Sequence, residues 1–328
     1  MTQRRPMILI ATNAIDPHAD AVIEYLEELG TSWIRFNTED FPELVQMSVE
    51  VGEHMSAVQL TVGGRDISAK DVGAVWYRRP ELPVLPDLNS GLRDFALEEI
   101  QACRRGLWEA LRSEVLWVNH PHDIRRAANK MWQLEAARQI GFNVPDTLIT
   151  NVNKRVMDFY EYHSGNIIGK PLSRSYLEVS DSTGVERLAI FTNKIERRHL
   201  EVLDGLRYGP VIFQNQVPKK YEVRATVVGE EVFACRIESQ ESERTRGDWR
   251  RYDLANTPHK AHELDPVVAS KCVEITRKAG LLFSAIDLIV TPDEETVFLE
   301  VNPNGQWLWI EQLTGLPIAR ALARLLAG

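Results

Sequence analysis

The chain has 328 residues, of which 44% are hydrophobic and 26% are charged, and its 38 basic and 47 acidic side chains leave a net charge of −9. This length and composition are typical of a globular protein with one large core or two to three smaller ones, and they exclude disorder as the default state. The acidic balance argues against nucleic acid as a partner, because the chain lacks the excess of cations that a phosphate backbone requires.

The beginning of the chain is predicted to form a β-α-β unit. An apolar strand over 7–11 precedes an amphipathic helix over about 17–29, Gly30 ends that helix, and a second strand covers 33–37. The turn at 12–16 contains no glycine, so the phosphate loop of dinucleotide-binding folds is absent and nicotinamide chemistry is disfavoured.

The first apolar segment is too short for the core of a signal peptide, and no stretch approaches the roughly 18 uninterrupted apolar residues of a membrane helix. We therefore expect a cytoplasmic protein without membrane contact. Cys103, Cys235 and Cys272 form no CxxC pair, so neither a disulfide framework nor a thiolate metal site is indicated.

The rest of the first domain is predicted to alternate strands with one long helix. Further strands are expected at 47–51, 58–62, 72–77 and 116–119. Apolar residues recur at helical spacing from Leu92 to Leu111, which predicts a long helix that ends near Ser113. The first domain is therefore expected to cover residues 1–118.

The remaining elements predict a central domain, residues 119–210, and a C-terminal domain, residues 211–328. One helix is expected over about 123–140, with Asp123 as its N-cap and Gly141 as its C-terminal stop. Strands are expected at 166–170, 211–216, 222–228 and 231–238, and they are followed by a helix over about 266–279, a hairpin and a last helix.

The strongest chemical signal lies in the C-terminal hairpin. Strand residues two apart share a face, so Glu300 and Asn302 project together from an otherwise apolar strand. Folding the hairpin brings Asp287 opposite Glu300, and two carboxylates with one amide suit Mg²⁺ shared with substrate phosphates. The alternative is a surface hairpin with one polar face, which the Asn-Pro-Asn run at 302–304 disfavours because it continues a plain strand poorly.

Two lysines and one basic segment are further candidates for anion binding. Lys130 lies on a helix, where a lone lysine is usually solvated, whereas Lys170 ends an apolar strand between Gly169 and Pro171. The segment 236–251 is rich in arginine. Trp249 lies within it and Tyr252 directly follows it, close to Arg244, Arg246, Arg250 and Arg251. Taken alone, this segment is more typical of a solvated loop than of an anion site.

Together, the hairpin cluster and the two lysines resemble the ATP-grasp superfamily. The resemblance implies an α/β (α+β) ATP-grasp fold with an N-terminal Rossmann-like pre-ATP-grasp domain. It also implies two Mg²⁺ ions held by Asp287, Glu300 and Asn302. Lys130 and Lys170 then correspond to the two lysines that bind the phosphates of ATP, each as a compact point charge on a flexible stem.

The segment 211–218 resembles the hinge strand that binds adenine through backbone groups. The nucleotide contacts implied are Gln214, Asn215, Gln216 and Val217. Gln214 stands where the superfamily usually has an acid. Glu222 is implied in ribose binding and Arg224 in carboxyl or phosphoryl binding, with a cross-strand ion pair as the alternative for both. The phosphate lid is expected at 173–184, a polar segment with one glycine, so that its closure uses hydroxyls and backbone amides.

Several motifs resemble those of the graspetide, or microviridin-type, peptide maturases, nearly from end to end. They are Trp-Tyr-Arg-Arg-Pro at 76–80, Phe-Gln at 213–214 with Val-Pro-Lys at 217–219, Tyr-Glu-Val-Arg-Ala at 221–225, Asp-Trp-Arg at 248–250 and Asn-Pro-Asn-Gly-Gln-Trp at 302–307. The resemblance implies ATP-dependent joining of Asp or Glu side chains of a ribosomal precursor peptide to Thr or Ser hydroxyls, or to Lys amines, which forms macrocyclic esters or amides. It also implies a homodimer and leader recognition by the central domain, for which 192–204 is the candidate.

The carboxylates of such a substrate require cationic partners, and the planar guanidinium group of arginine suits bidentate binding of a carboxylate. Arg224 and Arg236 are predicted to hold the carboxylate that is phosphorylated. The predicted peptide contacts are Arg78, Arg79, Asp248 and Arg250. Each arginine has a purely structural role as its alternative.

Two other functions stay open as alternatives. One is an ATP-grasp ligase that adds a free amino acid to a carboxylate, and the other is a nucleotide-binding regulatory protein without turnover. The complete set of lysines and metal ligands disfavours the second, since a protein that only binds nucleotide has no need for it. The precursor, the ring pattern and the choice between ester and amide do not follow from these residues.

Overall fold

The computed structural model describes residues 7–52, 55–112, 115–173, 176–181, 184–248 and 256–328. Within these ranges, no helix combines the length and the apolar character needed to cross a bilayer. Three segments follow one another along the chain, and each is built on a sheet of its own.

The N-terminal segment has a parallel sheet with helices on both faces. Its strands are β1 (Met7–Thr12), β2 (Trp33–Asn37), β6 (Val72–Tyr77) and β7 (Leu116–Val118), in the order β2-β1-β6-β7. Between β2 and β6 the chain forms an antiparallel sheet of β3 (Gln46–Gly52), β4 (Met55–Val62) and β5 (Arg65–Ser68). Helix α1 (Pro17–Glu28) covers one face of the parallel sheet and α2 (Ser90–Leu111) covers the other. The predicted Rossmann-like arrangement is confirmed.

The prediction of a single helix over 123–140 is wrong, because the chain forms two helices there. Helix α3 (Pro121–Ala127) is capped by His120, and α4 (Lys130–Ile140) is capped by Asn129, whose side chain accepts a hydrogen bond from the Trp132 amide. An asparagine side chain that bonds to the local backbone competes with helix continuation, which explains the break. Asp123 therefore lies in the first turn of α3 and is not the cap. The predicted stop is confirmed, since Gly141 has the left-handed φ of 92° that favours glycine.

The central segment is built on an antiparallel sheet. In sequence its elements are β8 (Thr147–Thr150), α5 (Asn153–Tyr162), β9 (Ile167–Lys170), β10 (Tyr176–Asp181), β11 (Gly184–Ala189), β12 (Asn193–Lys194), a 3-10 helix (Arg197–Tyr208) and β13 (Val211–Asn215). The sheet order is β12-β9-β13-β8, while β10 and β11 form a separate hairpin. Because β13 belongs to this sheet, the chain leaves the central segment after Asn215 and not at the predicted residue 210.

The C-terminal segment has a five-stranded antiparallel sheet with helices on both faces. Its elements are β14 (Tyr221–Val228), β15 (Glu231–Ile237), β16 (His259–His262), α6 (Pro266–Lys278), β17 (Phe283–Val290), β18 (Thr296–Asn302), α7 (Leu308–Thr314) and α8 (Ile318–Ala327), with the strand order β16-β15-β14-β17-β18. One face packs on α4 and α6. The other face shares a core with α8, α1 and the N-terminal sheet, so the first and last segments are joined by one apolar interior.

Candidate active site

A cavity of about 560 Å³ lies between the central sheet and the C-terminal sheet. Of the predicted site residues, those that line it are Lys170, Gln214, Asn215, Gln216, Val217, Glu222, Asp248, Asp287 and Glu300. These residues come from β9, from β13 and the segment after it, and from β14, β17 and β18, together with one loop. The fold therefore brings together residues that lie as much as 130 positions apart in sequence, since Lys170 and Glu300 line the same space.

Three neighbouring strands place a row of charged side chains at this cavity. Arg224 of β14 pairs with Asp287 of β17, and Asp287 pairs with Glu300 of β18, so the three side chains share one face of the sheet. The Arg224 Nη1 donates to both carboxylate oxygens of Asp287, at 2.7 and 2.8 Å. The predicted position of Asp287 opposite Glu300 is confirmed.

Asn302 and Lys130 complete the cluster around the two carboxylates. The Asn302 Nδ2 donates to Asp287 Oδ2 at 3.3 Å and to Glu300 Oε1 at 3.1 Å. Lys130 is the first residue of α4, and its ammonium forms an ion pair with the Glu300 carboxylate. Lys130 does not line the cavity itself, and the structure places it beside Glu300, which does.

The donor set of this cluster fits Mg²⁺. Carboxylate and amide oxygens are the hard ligands that this ion prefers, and it commonly completes its shell with water and substrate phosphates. Among the described residues, no three acidic, His or Cys side chains form a group that could hold a metal ion, and the cluster offers two carboxylates and one amide instead. Asn302 directs its amide nitrogen at both carboxylates, so its oxygen can bind a cation only after the amide turns about the Cβ–Cγ bond.

One face of the central sheet contributes Lys170 and Gln214. Lys170 ends β9 opposite Ile212 of β13, and Gln214 lies two residues further along β13, between Thr147 and Ile168. The chain then runs through 215–218, which line the same cavity without regular secondary structure. The adenine contacts of these residues stay a prediction.

Glu222 is a buried carboxylate at the cavity wall. Burial raises its pKa above the usual value, and the Lys219 ammonium opposes that effect from 3.1 Å. The Lys219 Nζ also donates to the Gly247 carbonyl at 3.1 Å, which connects the segment after β13 to the loop after β15. In this structure Glu222 is thus paired with Lys219, and Arg224 is paired across strands with Asp287.

The structure does not bring Arg236 to Arg224, so the prediction that both guanidinium groups hold one carboxylate is wrong. Arg224 pairs with Cys235, and Arg236 pairs with Val223, so the two arginines lie on opposite faces of the sheet. The Arg236 side chain bonds to Glu238 at 2.7 Å, and its guanidinium carbon lies 3.7 Å from the centre of the Tyr221 ring. These contacts correspond to the structural alternative for Arg236.

Of the predicted peptide contacts, Arg78 extends from the N-terminal segment to the turn after β18. It is 3% exposed, and its Nη1 donates to the Asn304 carbonyl at 2.9 Å. Its Nε and Nη2 have no hydrogen-bond partner among the described residues. Burial lowers the pKa of Arg78 to about 10, which still leaves the guanidinium charged at neutral pH. The neighbouring Arg79 is exposed.

The remaining predicted contacts lie around the loop after β15. The Asp248 carboxylate accepts a hydrogen bond from the Thr192 amide at 3.1 Å, which links this loop to the central segment across the cavity. Arg246 also lines the cavity, so part of the basic segment reaches the space that Lys170 lines. Arg250, together with residues 249 and 251–255, lies outside the described residues.

The expected phosphate lid and leader site fall on neighbouring parts of the central segment. Residues 173–184 lead into and along the β10–β11 hairpin, apart from 174–175 and 182–183, which lie outside the described residues. Residues 192–204 contain β12 and most of the 3-10 helix. These positions do not test whether 173–184 is a phosphate lid or whether 192–204 is a leader site.

Two buried side-chain amides that connect elements of the site were not predicted from the sequence. The Gln133 Nε2 donates to the Val301 carbonyl at 2.8 Å and its Oε1 accepts from the Val301 amide at 3.1 Å, which fixes α4 beside β18. Asn119 forms similar bonds, donating to the Phe283 and Pro303 carbonyls at 2.9 and 2.8 Å. A polar residue on the apolar stripe of α4 was the available signal for Gln133, whereas Asn119 follows a strand and carries no such signal.

Gly305 explains part of the Asn-Pro-Asn-Gly-Gln-Trp motif. A Cβ atom at this position would contact the Ala285 side chain and would lie 2.8 Å from the Arg224 Nη2, so only glycine leaves the guanidinium in place. The same Nη2 donates to the Gln306 carbonyl at 3.4 Å. The turn after β18 therefore holds Arg224 as well as the predicted metal ligand that precedes it.

A cleft between two antiparallel sheets, with a hinge segment on one side and an Asp-Glu-Asn cluster on the other, defines an ATP-grasp ligase. The family model of the MvdD pre-ATP-grasp domain matches residues 7–125. Macrocyclase MdnC of Microcystis aeruginosa MRC, solved with precursor peptide MdnA, is 31% identical over 98% of this chain and 99% of that chain, with a TM-score of 0.86. A RiPP-associated ATP-grasp ligase of Chryseobacterium gregarium, solved with ADP and a leader and core peptide, is 30% identical over 98% and 96%, with a TM-score of 0.87.

The chain belongs to the family of RiPP-associated ATP-grasp ligases that includes these two proteins. The resemblance to graspetide maturases and the expected ATP-grasp fold are thereby confirmed. Among curated proteins, human N-acetylaspartylglutamate synthase A is 23% identical over 210 residues, which are 63% of this chain and 51% of that protein. The chain thus spans about half the length of this curated relative.

Proposed function

We propose that this ligase activates Asp or Glu side chains of a ribosomally made precursor peptide with ATP and joins them to Thr or Ser hydroxyls, or to Lys amines, within the same peptide. The observation that carries the proposal is the row Arg224, Asp287 and Glu300, in register on three strands, of which Asp287 and Glu300 line one cavity. A guanidinium group beside carboxylates of the kind that bind Mg²⁺ suits the transfer of a phosphoryl group to a substrate carboxylate. The similarity to ligases solved with their precursor peptides supports this class of substrate.

ATP is proposed to lie along the cavity between the two sheets. Its base contacts the hinge residues Gln214, Asn215, Gln216 and Val217, and its ribose contacts Glu222. Lys130 and Lys170 bind its phosphates as point charges. This direction along the cavity is supported by β13, where the hinge begins two residues beyond the level of Lys170.

Mg²⁺ is proposed as the cofactor, with two ions held by Asp287, Glu300 and Asn302 and by the phosphates. When bound, these ions neutralise the charge that develops as the γ-phosphoryl group moves. Two cationic side chains of the protein also contribute to the site. Lys130 and Arg224 form ion pairs with Glu300 and Asp287, so each cation lies beside the place where phosphate and substrate carboxylate are proposed to meet.

The proposed reaction has two steps. A carboxylate oxygen of the core peptide attacks the γ-phosphorus, the bond to the β–γ bridging oxygen breaks, and ADP leaves behind an acyl phosphate. The hydroxyl oxygen or amine nitrogen then attacks the acyl carbon, the bond to phosphate breaks, and the proton of the nucleophile ends on the released phosphate. Arg224 is proposed to orient the carboxylate in the first step, because a guanidinium can bind it through two parallel hydrogen bonds.

The peptide is proposed to approach between the N-terminal segment and the loop after β15. Arg78, Arg79, Asp248 and Arg250 remain the proposed contacts, and 192–204 the proposed leader site. Arg78 supports this direction of approach, since two of its nitrogen atoms, Nε and Nη2, have no hydrogen-bond partner among the described residues. A homodimer and a cytoplasmic location complete the proposal.

Addition of a free amino acid to a carboxylate is the second candidate function. It is supported by the 23% identity to human N-acetylaspartylglutamate synthase A. The same activation step serves both reactions, so the two candidates differ in the nucleophile and in the mass of the product.

ADP formation is expected to depend on the precursor peptide. With Mg²⁺ and ATP, the full precursor should raise ADP release well above its basal rate, and the core peptide without its leader should raise it less. A mobile core peptide must otherwise be ordered by contacts at the reacting groups alone, whereas leader contacts supply binding energy from a distance. A coupled ADP assay measures both rates, with an unrelated peptide of equal Glu and Thr content as control. Equal rates with and without precursor would contradict the proposal.

A further inference from the structure

The turn at 303–307, which follows β18, is held by three side chains that lie in or directly after the N-terminal segment. Asn119 and Arg78 donate to the carbonyls of its first two residues, at 2.8 and 2.9 Å. At the other end of the turn, the Trp307 amide donates to the His18 Nε2 at 3.3 Å. His18 and Trp307 are 289 positions apart in sequence, so the place of the turn depends on how the first and last segments meet.

The hydrogen bond from the Trp307 amide assigns the protonation of His18. A ring nitrogen that accepts carries no proton, so the proton of the neutral ring is on Nδ1. The His18 Nδ1 lies 3.4 Å from the Asp16 Oδ1. Burial lowers the pKa of His18, which keeps the ring neutral, and its Nε2 an acceptor, at neutral pH.

Asp16 fixes the ring through the start of α1. Its Oδ1 caps the helix by accepting from the His18 amide at 3.2 Å, and its Oδ2 accepts from the Thr12 hydroxyl at 2.6 Å. His18 itself is 6% exposed, and its ring makes a T-shaped contact with Trp307, with 5.1 Å between the ring centres. The ring therefore has little freedom to turn away from the Trp307 amide.

The turn that His18 holds lies against the guanidinium group of Arg224. The Gln306 carbonyl accepts from the Arg224 Nη2 at 3.4 Å. The backbone at Gly305 approaches the same nitrogen so closely that a Cβ atom there would lie 2.8 Å from it. Because densely packed interiors transmit small displacements, a shift of the turn would change the direction of the guanidinium.

We propose that His18 is a positioning residue for the activation of the substrate carboxylate. By accepting the Trp307 amide it holds the turn at 303–307, and the turn holds the Arg224 guanidinium in the direction that this carboxylate requires. The inference rests on the proposed function, in which Arg224 orients the carboxylate, and extends it to a residue that does not line the cavity. It gives the N-terminal segment a part in the chemical step.

Three substitutions separate the acceptor atom from the bulk of the ring. His18→Gln places an amide oxygen near the position of Nε2 and keeps an acceptor there. His18→Asn ends one bond short of that position, and His18→Met fills the volume without a comparable acceptor. The last two should each lower kcat of precursor-dependent ADP formation about five- to tenfold, as the loss of one hydrogen bond does, whereas His18→Gln should stay within about twofold of wild type. The KM for the precursor should change by less than about twofold, because leader contacts supply binding energy from a distance.

A double-mutant cycle with Arg224→Lys measures whether the effect passes through Arg224. The lysine of this variant has no second nitrogen donor for the turn, so adding His18→Asn should lower kcat by less than about twofold further. His122→Asn is the matched control, because His122 also follows a proline as the second residue of a helix, α3, but is exposed. The control should leave kcat unchanged, and thermal melting monitors the folding of each variant.

Four results would contradict these expectations. Wild-type kcat in His18→Asn and His18→Met would overturn the inference, and so would an equal loss in His18→Gln or an undiminished loss in the Arg224→Lys background. A raised KM for the precursor with unchanged kcat would also overturn it, since that result would indicate direct contact with the peptide. A wild-type chain whose ADP formation does not respond to the precursor would instead overturn the proposed function on which the inference rests. A fall in kcat that His18→Gln prevents, and that Arg224→Lys abolishes, is the expected result.

Discussion

Asp287→Asn and Glu300→Gln are each expected to lower precursor-dependent ADP formation on the order of a hundredfold or more, as losses of transition-state charge stabilisation do. Both variants remove one negative charge from a cluster whose oxygens are proposed to hold Mg²⁺ beside the γ-phosphate. Each new amide keeps one acceptor oxygen, so Arg224 and Lys130 retain a hydrogen-bond partner and the chain should fold. The measurement is the steady-state rate of ADP formation, accompanied by circular dichroism and thermal melting of each variant.

Asp293→Asn provides the matched control for the metal-ligand variants. Asp293 is exposed in the turn between β17 and β18, on the same hairpin but away from the cluster. The same chemical change there should leave the rate within about twofold, because surface substitutions usually have small effects. ATP consumption at the wild-type rate in Glu300→Gln, with substrate present, would contradict the proposal that this cluster binds Mg²⁺.

Arg224→Lys is expected to lower turnover by about ten- to a hundredfold although the positive charge is kept. The Arg224 Nη1 donates to both oxygens of Asp287 while its Nη2 donates to the turn after β18, and a single ammonium cannot supply two separately placed nitrogen donors. Lost hydrogen bonds to a charged group are worth about 1.5–3 kcal/mol, which corresponds to this range. Titration of the precursor against each variant, with ATP saturating, separates effects on KM from effects on kcat.

Arg236→Lys is the matched comparison on the other face of the same sheet. Its guanidinium stacks on Tyr221 and pairs with Glu238, so the change should cost at most a few-fold in turnover. Wild-type kinetics in Arg224→Lys would refute the proposed role of Arg224. A large loss in Arg236→Lys, with a small one in Arg224→Lys, would instead favour the original expectation for Arg236.

The hairpin cluster could be predicted because it depends only on local rules. Strand residues alternate faces, and a short turn between two apolar strands sets their pairing, so Asp287 opposite Glu300 followed from the sequence. The register shift beside Asp287, which leaves Leu299 without a paired residue, had no comparable signal. It does not change the result, because Glu300 and Asn302 lie on the same side of the shift.

The face on which Arg236 lies follows from the pairing of its strand with the preceding one. The expected strands at 222–228 and 231–238 leave two residues, Gly229 and Glu230, for a turn that pairs Val228 with Glu231, and counting back from this pair places Arg224 opposite Cys235. Arg236 was therefore predictable on the other face.

Other features could not be predicted from local patterns. The break before α4 depends on the Asn129 cap, which leaves the apolar period unchanged, and the strands of the central segment are short, with only two residues in β12. The hydrogen bond from the Gln214 Nε2 to the Thr147 hydroxyl depends on the pairing of β13 with β8, two strands that are more than sixty residues apart in sequence.

The central claim is that acyl donor and nucleophile lie in one peptide, and intact mass spectrometry of the reaction product tests it most directly. After incubation of the precursor with the ligase, ATP and Mg²⁺, each ring formed should lower the precursor mass by one water, roughly 18 Da, because ester and amide formation each remove water. Omission of ATP should leave the mass unchanged. A product heavier than the precursor by the mass of an amino-acid residue would contradict macrocyclisation and would assign the second candidate function, while the ATP-grasp fold would stand.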